Sequence, residues 1–114
     1  MQTGLHPVPA RLNGGNVIAH RPATLARDEI CSVVLVYRET GDEYIVWTYN
    51  RQNPGAHHGD YALTQWKGAD TFLSRHGDVR KWPGDIARQN ITFTAAANDF
   101  ERATLLGLLR GEDK

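Results

Sequence analysis

The residues best equipped for chemistry are concentrated between positions 47 and 66: Trp47, Tyr49 and Arg51, then His57, His58, Asp60 and Tyr61, then Trp66. Histidine titrates near neutrality, and a carboxylate beside it, such as Asp60, would orient the ring and raise its pKa. With Arg51, Arg75 or Arg80 to hold a phosphate, the set suits a small phosphoesterase or nuclease. The string His57-His58-Gly59-Asp60 matches no catalytic signature, so no residue is given a catalytic role. Metal binding is a second reading. Adjacent histidines on an extended backbone point to opposite sides, so one ion would be hard for both to reach. Asp60 could join His58 on one side, with His20 or His76 from elsewhere, but no cysteine pair or His-x-x-x-His spacing supports a site. Neither a metal nor a cofactor is expected.

Nucleophilic and phosphate-cradling motifs are missing. There is no Gly-x-Ser-x-Gly, the single cysteine, Cys31, heads the most apolar run and is expected to be buried, and Gly14-Gly15 lacks a following Lys-Ser/Thr. Binding is the class that remains. Trp47, Tyr49, Tyr61, Trp66 and Trp82, interleaved with Arg51 and Arg75, have the composition of a recognition surface, because aromatic and arginine side chains dominate binding hot spots. Several of these aromatics are needed for the core of so short a chain. Trp66 and Trp82 lie in turn-like contexts and are the ones expected to be partly exposed.

The elements that must position these residues are read from periodicity. Residues 31–37 are rich in β-branched side chains and nearly continuous in hydrophobicity, as in a strand buried on both faces. Residues 38–43 form a polar turn in which Gly41 can take a positive φ, and 44–49 resume as an aromatic, β-branched strand. A hairpin over 30–49 follows. Asn53-Pro54-Gly55 makes 50–59 a loop, and 60–64 form a third strand. A short helix is expected over 68–76, capped by Gly68 or Asp70, with Ala69, Phe72 and Leu73 on one face and Gly77 as its stop. Residues 78–90 are irregular around Trp82-Pro83-Gly84, and 91–94 form a fourth strand. Asn98 with Glu101 three positions on resembles a capping box opening a helix to about Arg110, with Leu105, Leu106, Leu108 and Leu109 apolar and Gly107 poised for a close backbone contact. Pro7, Pro9, Gly14, Gly15 and Pro22 punctuate the first 29 residues, which read as an extended, mildly basic arm carrying Arg11, Arg21 and Arg27 and one possible short edge strand over 16–20. The fold class is α+β: an arm over 1–29, then one domain over 30–114 in which a small antiparallel sheet carries a short helix and a C-terminal helix packed on one face.

Composition narrows the partners. Thirteen basic side chains balance thirteen acidic ones in 114 residues, which argues against nucleic acid and an anionic membrane as partners. No apolar stretch approaches the roughly 20 residues that span a bilayer, and the first ten residues lack a charged region followed by an apolar block, so a cytoplasmic protein is expected.

The valine-rich strand, then 43–50, then His58-Gly59-Asp60-Tyr61, then 69–75, resembles short uncharacterised proteins of actinobacteria and their phages or plasmids. That resemblance implies a mobile-element accessory protein that binds a host component, with inhibition of a defence system as one role, and it transfers no site residue. The reading is therefore a non-enzymatic binding module for a protein or a nucleotide-like ligand. A small phosphoesterase or nuclease using a loop histidine, and a self-associating domain, are the alternatives.

Overall fold

The computed structural model of the chain describes residues 6–22, 30–76, 79–80 and 91–109, with 74–76, 79–80 and 109 described through their backbone. The fold is α+β, with a curled antiparallel sheet and two helices. The expected hairpin is its centre. Strands β3 (Cys31–Arg38) and β4 (Glu43–Asn50) pair from Cys31 opposite Asn50 to Arg38 opposite Glu43. Val33 and Leu35 enter one core cluster while Val34 and Val36 enter a second, so β3 is buried on both faces, as its unbroken apolar run requires. In the connecting turn the positive φ falls on Asp42 (φ 50) instead of Gly41. Aspartate tolerates this region better than most residues. Asp42 is held there by its amide donating to the Glu39 carbonyl (3.1 Å) and its carboxylate accepting from the Tyr37 hydroxyl (2.7 Å).

The segment read as an arm contributes to the sheet. Strands β1 (Arg11–Leu12) and β2 (Gly15–Pro22) form a hairpin through Asn13 (φ 50) and Gly14 (φ 86), the two positive values of a type I′ turn. The short edge strand expected over 16–20 is instead an eight-residue strand paired to β3 on one side and to β1 and β8 (Thr92–Phe93) on the other. A bulge between Val17 and Ala19 sends Val17 to the second cluster and both Ile18 and Ala19 to the first. A Cβ on Gly15 would lie 2.5 Å from Val36 Cγ1, so only glycine lets β2 lie this close to β3 there.

Arg21, expected on a solvated arm, is fully buried. Its Nε and Nη2 both donate to the Phe72 carbonyl (3.1 and 2.9 Å), its Nη1 donates to the Pro22 carbonyl (2.8 Å), and its guanidinium stands 5.6 Å from the centre of the Phe72 ring. Phe72 lies in the last turn of helix α1 (Gln65–Ser74), where carbonyls have no partner within the helix and the dipole favours a cation. Arg21 thus ties β2 to the end of α1.

Helix α1 starts three residues before the expected Gly68. Thr64, read as the end of a strand, accepts a bond from the Lys67 amide on its hydroxyl (3.1 Å) and caps the helix. Gly68 is inside α1, and a Cβ there would lie 2.8 Å from Tyr44 Cβ. Ala69, Phe72 and Leu73 join the first cluster together with Leu105 from the second helix, α2 (Asp99–Leu109). The capping box is present: the Glu101 amide donates to Asn98 Oδ1 (2.7 Å) and the Asn98 amide to Glu101 Oε1 (2.9 Å). In α2, Leu105 is buried, Leu108 is half-buried and Leu106 is 43 % exposed, while Gly107 is buried. After α1, β6 (Arg75–His76) pairs with β7 (Val79–Arg80). The rest of the stretch read as irregular, Trp82 included, lies outside the described residues, as does Gly77. Among the described residues, no helix is long and apolar enough to cross a membrane.

Candidate functional site

The ten-residue loop expected over 50–59 is a four-residue turn followed by strand β5 (Gly55–Leu63). Asn50 Oδ1 accepts from the amides of Gln52 (2.9 Å) and Asn53 (2.8 Å) and closes the turn, after which β5 pairs with β4. Two bulges bend β5: residues 58–59 oppose Trp47 and residues 61–62 oppose Ile45, with positive φ at His58 (56°) and Ala62 (58°).

The strand register divides the residues of this segment between core and surface. Trp47 and Tyr49 are buried in the second cluster, where Trp47 meets Tyr61 edge-on at 5.6 Å and its Nε1 donates to the Tyr61 hydroxyl (3.0 Å). They supply core and leave Tyr61, 54 % exposed, as the outward aromatic. Trp66, expected to be partly exposed, is half-buried, and Asp60 and Cys31, the latter expected to be buried, are half-buried too. Arg51 donates through Nε to the His6 carbonyl (2.7 Å), and the His6 amide donates to the Arg51 carbonyl (2.8 Å), so Arg51 holds down the N-terminal segment. His57 and His58 are exposed, their rings 6.4 Å apart, and among the described residues neither bonds to a carboxylate. The side chains of Arg75 and Trp82 lie outside the described residues. None of the described residues of the predicted set lines the cleft that the fold forms elsewhere.

Convergence occurs elsewhere. A cleft of about 600 Å³ opens where the β3–β4 turn, β2, the start of α1 and the cap of α2 meet, a size typical of ligand sites. Its walls are Asn16, Ile18, Tyr37, Glu39, Asp42, Tyr44, Thr64, Gln65, Ala96, Asn98 and Glu101. Tyr37 and Tyr44 are opposite one another across the hairpin, their rings 4.9 Å apart and tilted by 46°. The Tyr44 hydroxyl donates to Glu101 Oε2 (2.6 Å) and the Tyr37 hydroxyl to Asp42 Oδ1 (2.7 Å). Burial, then the bond to Glu101, push the Tyr44 phenol far above its ordinary range. The bond to Asp42 raises Tyr37, with burial and the charges of Asp42, Glu39 and Glu101 adding to it. Both phenols keep their protons at ordinary pH, and each proton is committed to a carboxylate.

The walls are consequently rich in acceptors. Gln65 Nε2 is turned outward to the Phe100 carbonyl (3.3 Å) and the Thr104 hydroxyl (2.7 Å), which leaves its carbonyl oxygen as an acceptor. The side-chain donors that remain on the wall, the carboxamide nitrogens of Asn16 and Asn98 and the Thr64 hydroxyl, are neutral. Three carboxylates and no cationic side chain line the cleft among the described residues. The carboxylates are spread along the walls, and no three acidic, histidine or cysteine groups among the described residues come together around one point as a metal ion would need. None of these wall residues is among the site residues expected from the sequence, although Asn98 and Glu101 are expected there as a helix cap. The signal available was the pair of tyrosines placed symmetrically about a turn that carries Glu39 and Asp42.

His20, half-buried in β2, is held below its ordinary value of 6.5 by burial and then by the charge of Arg51. The folded chain therefore takes up a proton less readily than the unfolded one, so this contribution to stability is complete above about pH 6.5 and declines as the pH falls below it. Urea unfolding between about pH 8 and 5 is expected to show that acid-side decline, and His20→Gln to lessen it. An unchanged pH profile in the variant would remove His20 as its source.

Compared with known proteins, the chain matches no family model, no curated protein and no solved structure.

Proposed function

We propose that the chain is a non-enzymatic binding module of the cytoplasm whose cleft between the β3–β4 turn and the α2 cap takes a cationic group. The observation that carries this reading is the conjunction of Glu39, Asp42 and Glu101 with the Tyr37–Tyr44 pair in one cleft of about 600 Å³. Carboxylates and phenol oxygens that have already spent their protons can only accept, so the complementary ligand is a donor, and its charge is positive. Tyrosine rings add attraction for a cation near their faces, about 0.5–2 kcal/mol depending on exposure. A nucleotide-like ligand, the other chemistry expected of a binding module, would set its phosphates against three carboxylates.

Titration of the ¹⁵N-labelled protein with agmatine, which carries a guanidinium and an ammonium, tests the reading. Amide shifts are expected at Tyr37, Asp42, Gln65 and Glu101, weakening as salt rises because the site is open to solvent. Adenosine monophosphate is expected to leave these amides in place. Asp42→Asn, which suits the same left-handed backbone, should weaken agmatine binding several-fold, about 1 kcal/mol for one partly exposed charge. Shifts at the cleft with the nucleotide and none with agmatine would overturn it.

A further inference from the structure

We infer that the cationic group is the side chain of an arginine or lysine in an extended segment of a partner protein, with an apolar residue two positions away that packs on Phe100. This rests on the cleft reading above and goes beyond it by naming the partner. Phe100 is 70 % exposed, the most exposed large apolar side chain among the described residues. It follows Asn98 by two positions and precedes Glu101 by one, and both of those line the cleft. Its carbonyl is held by Gln65, another wall residue. Phe100 thus stands in the first turn of α2, next in sequence to cap residues that wall the cleft, with its ring exposed. A free small amine seated among the carboxylates has no use for that ring. A peptide does, because side chains at i and i+2 of an extended chain share one side, about 7 Å apart, so that one can enter the cleft while the other meets an apolar side chain beside it. The occupant is chosen by charge complementarity, since the walls carry three carboxylates and no cation among the described residues.

The probes are two peptides, Ac-Leu-Gly-Arg-Gly-Leu-NH2, which presents leucine on either side of arginine, and Ac-Gly-Gly-Arg-Gly-Gly-NH2. By calorimetry or amide shifts the leucine peptide is expected to bind about tenfold tighter, as burial of part of one apolar side chain against the ring would give. Phe100→Ala, a change at an exposed position, is expected to abolish that difference while leaving agmatine binding as it is. Equal binding of the two peptides with agmatine still bound would overturn the partner and leave the cleft reading standing. Loss of agmatine binding as well would overturn both. A tenfold preference that persists in Phe100→Ala would place the apolar contact elsewhere and overturn the role of this ring.

Discussion

An Arg21→Met variant is expected to unfold at lower urea, with a loss of about 2–4 kcal/mol and a fall in melting temperature on the order of 10 °C or more. Methionine replaces much of the buried stem but none of the donors. The Phe72 carbonyl then loses both guanidinium bonds in a buried setting, and the part-buried Pro22 carbonyl loses one. A buried acceptor left without a partner costs about 1–3 kcal/mol, and the last turn of α1 also loses the cation that its dipole favours. Arg21→Lys is expected to fall between the two, because an ammonium lacks the flat fork that lets two nitrogens share one carbonyl. A variant within about 0.5 kcal/mol of the parent, as at a surface position, would contradict the burial of Arg21.

The second large effect is expected at Glu101. This residue is 5 % exposed and works in three ways: its amide is received by Asn98, its Oε1 receives the Asn98 amide, and its Oε2 receives the Tyr44 hydroxyl. Glu101→Ala removes the reciprocal half of the cap and strands a buried phenol, for about 2–3 kcal/mol in all. Glu101→Gln keeps the shape with one carbonyl oxygen for two donors, so about 1 kcal/mol is expected. Urea unfolding gives the magnitudes, and hydrogen exchange at the first turn of α2 gives the location. If exchange there is unchanged in Glu101→Ala, the cap does not depend on this side chain.

What could be read from the sequence follows how local each feature is. The β3–β4 hairpin and the Asn98–Glu101 cap were legible because a few consecutive residues encode them. Asn13-Gly14 is an equally local signal for a type I′ hairpin, obscured by the prolines around it, and with it β2 was reduced to an edge. The first half of β5 was hidden for a different reason, while its second half falls within the third strand expected over 60–64. In the first half, His57 and His58 carry no apolar alternation, since an outer strand is held by backbone bonds to β4, which polarity does not reveal. The turn signal of Asn53-Pro54-Gly55 was real but marked only the start of that strand. Arg21 had no local signal at all, because its burial depends on a helix end 51 residues away. The cleft is likewise assembled from positions near 16, 37–44, 64–65 and 96–101, so composition at any one of them understates it. Aromatic density pointed instead to Trp47 and Tyr49, which serve the core.

The bulges of β5 have a consequence for the company the chain keeps with its own copies. Among the described residues β5 pairs only with β4, so its far edge is a row of backbone donors and acceptors of the kind that recruits strands from neighbouring molecules. With the left-handed residues His58 and Ala62 breaking the spacing twice within nine residues, no run long enough to zip up with a straight strand remains. The irregularity that places Tyr61 over Trp47 also serves as a guard against edge-to-edge aggregation.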